Sequence, residues 1–351
     1  MPPPTYRAGL ARKRGPRVFP AGRRCASLAS GPVTTSSLAP GALFVRHPGN
    51  PILEPLRWPY PANAVMNAGA TTMDGATLLV CRVEDHRGFS HLTTARSHDG
   101  QANWVVSETP LIAPAPEHPE EAWGVEDPRV TRVDELDAWL IAYTSFGPGG
   151  PGVSLASTQD FERIERLGLA MAPENKNATL LPRRVAGQWV MFHRPSSAMT
   201  GGGDIWLSRS ADLTSWSAPE PVLSRRPGGW WDSARIGMGP PPIETPEGWL
   251  VLYHGVRRTV AGELYRVGLA LLDLEHPARV LRRSAEWVLG PQASYEVTGD
   301  VPGVVFPCGL VHDADADRLR LFYGAADTCV GLATARMSDV MTLLMSGPAI
   351  A

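Results

Sequence analysis

Two adjacent acids and an arginine flank a proline in the stretch Trp123-Gly124-Val125-Glu126-Asp127-Pro128-Arg129, directly before a strand-like run, Val130-Thr131-Arg132-Val133. Carboxylates and a guanidinium this close can hold a polar ligand in a cavity; alone they can equally make a turn with a surface ion pair. Pro128 restricts Asp127 to extended backbone and cannot donate a ladder hydrogen bond, so Asp127 is expected at a strand entrance. Extended geometry sends Glu126 and Asp127 to opposite sides, so only one of them should face a given cavity. Arg129 should share the side of Asp127.

Other stretches carry related chemistry. Asn67-Ala68-Gly69-Ala70 joins an amide to small residues that let a ligand approach the backbone, and Asn175-Lys176-Asn177-Ala178 adds a cation. Trp230-Trp231-Asp232-Ser233-Ala234-Arg235 offers indoles able to stack on a sugar ring, with Asp232 and Arg235 as polar contacts. The same tryptophans would serve as well in a core. Gly324-Ala325-Ala326-Asp327 leaves space beside a carboxylate, and Tyr295-Glu296 lies upstream of it.

Short strands must position these groups. From about residue 42 the chain is a series of apolar runs separated by Gly, Pro, Asp and Ser, and 34 prolines with 35 glycines suit a turn-rich fold. One run recurs: Leu78-Leu79-Val80-Cys81-Arg82-Val83, then Trp139 to Thr144, Trp189 to Arg194, Trp249 to Gly255 and Leu319 to Gly324. Successive starts lie about 61, 50, 60 and 70 residues apart, a spacing expected of propeller blades carrying insertions. A second motif follows several copies. Ser97-His98-Asp99-Gly100 before Trp104 and Ser210-Ala211-Asp212-Leu213 before Trp216 read as Ser/Asp-stabilised turns, with Thr158-Gln159-Asp160-Phe161 a weaker copy. The expected fold is all-β, a five-bladed β-propeller over residues 41–351 with its active site at the central channel; a two-sheet sandwich would not require this period. If the repeated strands are innermost, their ends at Arg82, Tyr143, His193-Arg194 and His254, with Asp327 just past the last, gather on one face.

Composition sets the class. The 351 residues are 43% hydrophobic and 19% charged, ample for a large core. A net charge of -2 and a pI near 6.5 argue against a nucleic-acid or membrane-surface partner. The nine histidines show no HExxH-like spacing, so no metal is expected. Cys25, Cys81, Cys308 and Cys329 show no CxxC spacing, which favours a reducing, cytoplasmic compartment. No apolar run approaches the roughly 18 residues of a membrane span. Residues 1–40 are basic and Pro-rich without an acid, and read as a disordered extension or an over-called start codon in preference to an organellar transit peptide, which shares the Arg-rich, acid-poor composition.

Taken in order, Gly124 to Arg129, Asn175 to Ala178, His193-Arg194-Pro195, Asp232 to Gly239, Gly248-Trp249 with Tyr253-His254-Gly255, and Gly324 to Asp327 resemble glycoside hydrolase family 130. These are five-bladed propellers that include β-mannoside phosphorylases and some inverting β-mannosidases. The resemblance spans roughly residues 45 to 340. It implies inverting attack at the anomeric carbon of a terminal β-mannoside, with Asp127 as proton donor acting through a sugar hydroxyl and inorganic phosphate as co-substrate and nucleophile. No other cofactor is implied. Such a donor would have to be protonated near neutral pH, through burial or a nearby carboxylate such as Glu126 or Asp327.

The positions matching the family's phosphate ligands are Lys176, Asn177, Arg235 and His254, with Lys176 where other members carry Arg. The sugar-contacting set is Asn67, Arg82, Glu126, His193, Arg194, Asp232, Tyr265 and Asp327, and Arg129 orients its neighbours. A hydrolase on the same scaffold would need Glu174, Glu263 or Glu296 as base, facing Asp127 across roughly 6.5–9.5 Å. A non-catalytic sugar-binding propeller is the remaining reading. Homo-oligomers are frequent in the family, which leaves room for one here.

Overall fold

Each of the five repeated apolar runs forms the second strand of a four-stranded antiparallel group. A computed structural model describes residues 40–196 and 202–350; the expected extension over 1–40 falls, Pro40 apart, outside the described residues. In chain order the first group comprises Ala64–Met73, Ala76–Glu84, Ser90–Ser97 and Val105–Val106, and the second Gly124–Val133, Ala138–Gly147, Gly150–Thr158 and Glu165–Met171. The third comprises Asn175–Leu180, Trp189–Pro195, Ile205–Ser210 and Glu220–Leu223, and the fourth Arg235–Met238, Gly248–Thr259, Gly262–Leu272 and Val280–Arg283, with Ile243–Thr245 added beside Gly248. The fifth takes Val305–Asp313, Arg318–Ala325 and Cys329–Arg336, completed by Val45–Arg46 from the N-terminal side. A single parallel bridge, Ser90 to Gly124, joins the first two groups.

The second strands are apolar on both faces because both faces are covered. In the first group Leu79, Cys81 and Val83 pack with Phe322, Val330 and Leu332 of the fifth. Leu78 and Val80, one residue out of phase, pack with Val130, Ile141 and Tyr143 of the second. The two-residue period of a strand therefore splits one continuous apolar run between two cores. The second and third groups share Leu140, Ala142, Trp189 and Met191; the third and fourth share Val190, Phe192, Trp249 and Val251; the fourth and fifth share Leu250, Leu252, Leu319 and Leu321. Helix Met337–Ser346 buries Val340 and Leu344 in this last core.

The Ser/Asp turns form as the motif predicts. Ser97 Oγ accepts from the Gly100 amide and Asp99 Oδ1 from Gln101 and Ala102; Ser210 and Asp212 repeat the pattern, and Thr158 and Asp160 do so in the weaker copy. The repeated strands are second in their groups, and the first strands carry Asn67, Glu126, Asp127, Lys176, Asn177 and Arg235.

Candidate active site

Asp127 is not extended. It sits at φ 50° inside Gly124–Val133, where the pairing register slips between Glu126 and Arg129. Asn67, at φ 49°, sits at the same slip in Ala64–Met73, and Asn177, at φ 56°, in Asn175–Leu180. Each is a β-bulge that places one extra residue on the first strand, and short polar Asn and Asp tolerate the left-handed conformation this needs. Pro128 fits at such a bulge because no ladder donor is required of it. The bulge turns two successive side chains to one side, so Glu126 and Asp127 both face the same cavity, contrary to the strict alternation expected of an extended segment.

That cavity, about 140 Å³, is lined by Asn67, Arg82, Glu126, Asp127, Lys176, Asn177, Arg194, Arg235, His254, Tyr265, Val304, Phe306 and Asp327, so all five groups reach it. A larger cavity of about 250 Å³ beside Leu43 and Trp287 has no comparable meeting of charges. Close approach fixes two glycines. A Cβ on Gly237 would lie 2.4 Å from His254 Cε1 and 2.6 Å from Asn177 Nδ2, and one on Gly324 would collide with Asn67 Oδ1.

The acids gather around Arg82. Its Nη1 donates to Asp127 Oδ1 at 3.3 Å, its Nη2 to Glu126 at 3.2 Å and Glu84 at 3.1 Å, and its Nε to Ser90 Oγ at 2.9 Å. Asn67 Nδ2 donates to Asp127 Oδ1 at 2.8 Å. Arg129 is wholly buried and does not line the cavity, giving hydrogen bonds to the Asp127, Met238 and Gly239 carbonyls while its guanidinium lies 5.2 Å from the Phe306 ring centre. It ties the Asp127 bulge to the fourth group.

These neighbours decide the protonation states. Burial pushes the Asp127 carboxyl up, but Arg82, Arg129, the Asn67 amide and Lys176 outweigh it and hold Asp127 below the usual carboxylate range. The Asp127 carboxyl is therefore ionised in the ligand-free site, where a proton donor was expected to have a raised value. Burial, aided by Asp127, instead raises Asp327 to about 6, and burial raises Glu126 despite Arg82.

Cations and neutral donors occupy the other end. Burial lowers Lys176, and burial with the nearby Arg235 lowers Arg194 to about 10. Among the described residues Nε and Nη1 of Arg194 have no hydrogen-bond partner, nor has Nδ1 of His254. Burial and the charges of Arg194, Arg129, Arg235 and Lys176 hold His254 well below its ordinary value, so the imidazole is neutral. It stacks on Tyr265 and lies 3.5 Å from Asn177 Nδ2. Buried guanidinium donors left without partners belong with an anion.

Two predicted sugar contacts do not reach the cavity. His193 is buried between Asn175 and Ser208, at 3.1 Å from each, and burial lowers it to about 4. Asp232 spends its carboxylate on Arg226, Arg283 and Tyr253, all at 2.8–3.1 Å, and pins the approach to the fourth group. Trp231 stacks on Tyr253 inside a core, and Trp230 lies under Arg226. Tyr143 is turned to Glu121. Glu84 was missed, although its position two residues after Arg82 puts it on the same strand face. Phe306 and Val304 carried no signal.

Five strand groups of an all-β body meet at a polar cavity that gathers carboxylates around Arg82 and, beyond them, Lys176, Arg194 with buried donors lacking partners, and Arg235. The chain belongs to glycoside hydrolase family 130: the family profile described as beta-1,4-mannooligosaccharide phosphorylase matches residues 61–346. A Beta-1,4-mannooligosaccharide phosphorylase of Ruminococcus albus is 36% identical over 309 residues, covering 86% of this chain and 90% of the relative. A Beta-1,2-mannobiose phosphorylase of Listeria innocua is 38% identical over 260 residues, 72% and 70% of the two chains. The solved structure of a Listeria innocua Beta-1,2-Mannobiose phosphorylase with beta-1,2-mannobiose superposes with a TM-score of 0.79 at 30% identity, covering 86% of this chain and 99% of that one.

Proposed function

We propose that the chain is an inverting glycoside phosphorylase acting on terminal β-mannosides. The observation that carries this is the convergence of Lys176, Asn177, Arg194, Arg235 and His254 on the cavity that holds Asp127. Three cationic side chains and several N–H donors suit a phosphate dianion, and water needs neither. The unpartnered donors of Arg194 support reading it with the anion set rather than the sugar set.

A phosphate oxygen attacks the anomeric carbon on the face opposite the leaving group. The glycosidic C1–O bond breaks, and its oxygen takes a proton from Asp127, directly or through a sugar hydroxyl. The products are α-mannose 1-phosphate and a shortened sugar. Asp127 must gain its proton as ligands bind: phosphate engages Lys176, one of the cations that depress the empty-site carboxyl, and brings its own negative charge into the same cavity, so the carboxyl rises. Asn67, Arg82, Glu126 and Asp327 remain to hold the mannose hydroxyls.

The hydrolase reading lacks its base. Glu296 is wholly buried and bound by Arg46 and Tyr323, Glu263 is paired with Arg235, Glu174 is exposed, and none of the three lines the cavity. The cyclic sharing of cores between successive groups, fifth with first included, supports reading them as blades of a five-bladed propeller around this cavity. A reaction fed by inorganic phosphate belongs in the cytoplasm, and buried free thiols at Cys81, Cys308 and Cys329 agree with that. No helix among the described residues is long and apolar enough to cross a membrane.

The test is incubation with β-1,2- and β-1,4-mannobiose, with and without inorganic phosphate. Phosphate-dependent mannose 1-phosphate supports the proposal and identifies the linkage. Free mannose without phosphate would replace it with hydrolysis.

A further inference from the structure

Arg235 is the one cation lining the anion end whose donors are turned to a carboxylate outside the cavity. Its Nη1 donates to Glu263 Oε1 at 2.9 Å, and its Nη2 meets Glu263 Oε2 and the Tyr265 hydroxyl. The register explains the lean. Arg235 pairs with Val256 and Val256 with Tyr265, while Glu263 stands two residues before Tyr265 on the same face, one rung further out. Directly opposite Glu263 is Arg258, whose Nη2 lies 3.3 Å from Glu263 Oε1 and whose side chain is 76% exposed. One carboxylate is thus shared between a cation that lines the cavity and a cation in solvent.

A guanidinium that grips a carboxylate through both terminal nitrogens cannot offer that edge to phosphate at the same time. Glu263 sits beyond the cavity, so each hydrogen bond that Arg235 gives it is one withheld from a bound anion. Arg194, by contrast, has donors without partners among the described residues and needs no release.

We propose that Glu263 competes with phosphate for Arg235, and that Arg258 takes over Glu263 when Arg235 turns to the anion. Glu263 is then a positioning residue that sets phosphate affinity from outside the site. This rests on the phosphorylase reading. The exchange keeps Arg235 ordered in the empty site and weakens the grip on phosphate and on the phosphorylated product alike.

Calorimetry with inorganic phosphate, together with KM for phosphate and for mannobiose, on wild type, Glu263→Gln, Arg258→Ala and the double variant provides the test. Glu263→Gln should tighten phosphate by about 3- to 10-fold, the scale of a partly exposed ion pair, and leave KM for mannobiose within about 2-fold. Arg258→Ala should weaken phosphate by about 2-fold, because Glu263 is then left to Arg235 alone, and this effect should vanish when Glu263 is already Gln. Weaker or unchanged phosphate binding in Glu263→Gln would overturn the proposal, since Glu263 would then only brace Arg235. An Arg258→Ala effect that persists in the Gln background would also overturn it, as the loss of one distant charge. Arg258 is exposed, so its variant tests the exchange even where Glu263→Gln folds poorly. A wild type that neither binds nor uses phosphate would remove the phosphorylase reading itself.

Discussion

Asn67 and Asp127 occupy matching bulges in neighbouring first strands, and the Asn67 amide donates to the Asp127 carboxylate at 2.8 Å. The pair shows how the site is made. One backbone device, repeated at Asn177, turns short polar side chains inward from successive groups, and the partner of each is supplied by another group.

Replacing Asp127 with Asn should lower kcat by about 10²- to 10⁴-fold, the usual worth of a positioned acid, while the circular dichroism spectrum is kept and phosphate binds at least as tightly. Turnover close to wild type in this variant would remove Asp127 from the mechanism.

Arg194→Met should raise KM for phosphate by at least about 10-fold, since charge-assisted hydrogen bonds to a buried anion are lost. It should also make the ligand-free protein more stable, by about 1 kcal/mol, because an unpaired buried guanidinium is removed. Thermal unfolding with and without phosphate checks both halves. A variant less stable in both conditions would mean that Arg194 is structural.

Asp327 carries a pH signature. Burial, with Asp127, raises its folded value to about 6, so its contribution to stability is full below the unfolded value near 4 and is lost as pH rises through about 6. Asp327→Asn should therefore melt about 3 °C or more above wild type at pH 8, with the gap closing at pH 4. Activity should fall in the same variant, because the amide replaces a carboxylate that lines the cavity. A gap independent of pH would show that the carboxyl is not perturbed.

The ion pair of Arg46 with Glu296 behaves in the opposite sense. Burial pushes Glu296 up, but Arg46, the Gln292 and Ala293 amides and the Tyr323 hydroxyl outweigh it and hold its value low. The stability it provides is present above the ordinary Glu range and is lost as pH falls. Arg46→Ala should cost about 3 kcal/mol at pH 7 and less in acid, with KM values unchanged; denaturant unfolding at pH 7 and pH 4 measures it.

Much of this was legible in the chain because a strand covered on both faces must be apolar throughout. Trp139 to Thr144 and Leu319 to Gly324 announce themselves for that reason, and the Ser/Asp turns follow from side chains that cap their own backbone. What failed was whatever depends on pairing. A bulge is a relation between two strands, so the stretch around Asp127 reads as plain extended chain, and Glu126 looks turned away when it is not. Asp232 misled for a similar reason: its partner Arg283 lies 51 residues away, and nothing local distinguishes a carboxylate with buried partners from one that faces a ligand. Asp127 itself was recognisable, but its ionised state was not, because that depends on cations contributed by three groups.

Val45–Arg46, which completes the fifth group against Thr334 and Ala333, has a consequence for synthesis on the ribosome. The strand that finishes the last group emerges before any of the five is made, and it must wait unpaired while nearly the whole body is translated. Its partner edge, Cys329–Arg336, is among the last segments to emerge, so the Asn50–Leu332 contact can be made only near the end of translation. Joining residues 43–50 behind residue 346 instead would turn the slowest, most distant pairing in the molecule into a local one.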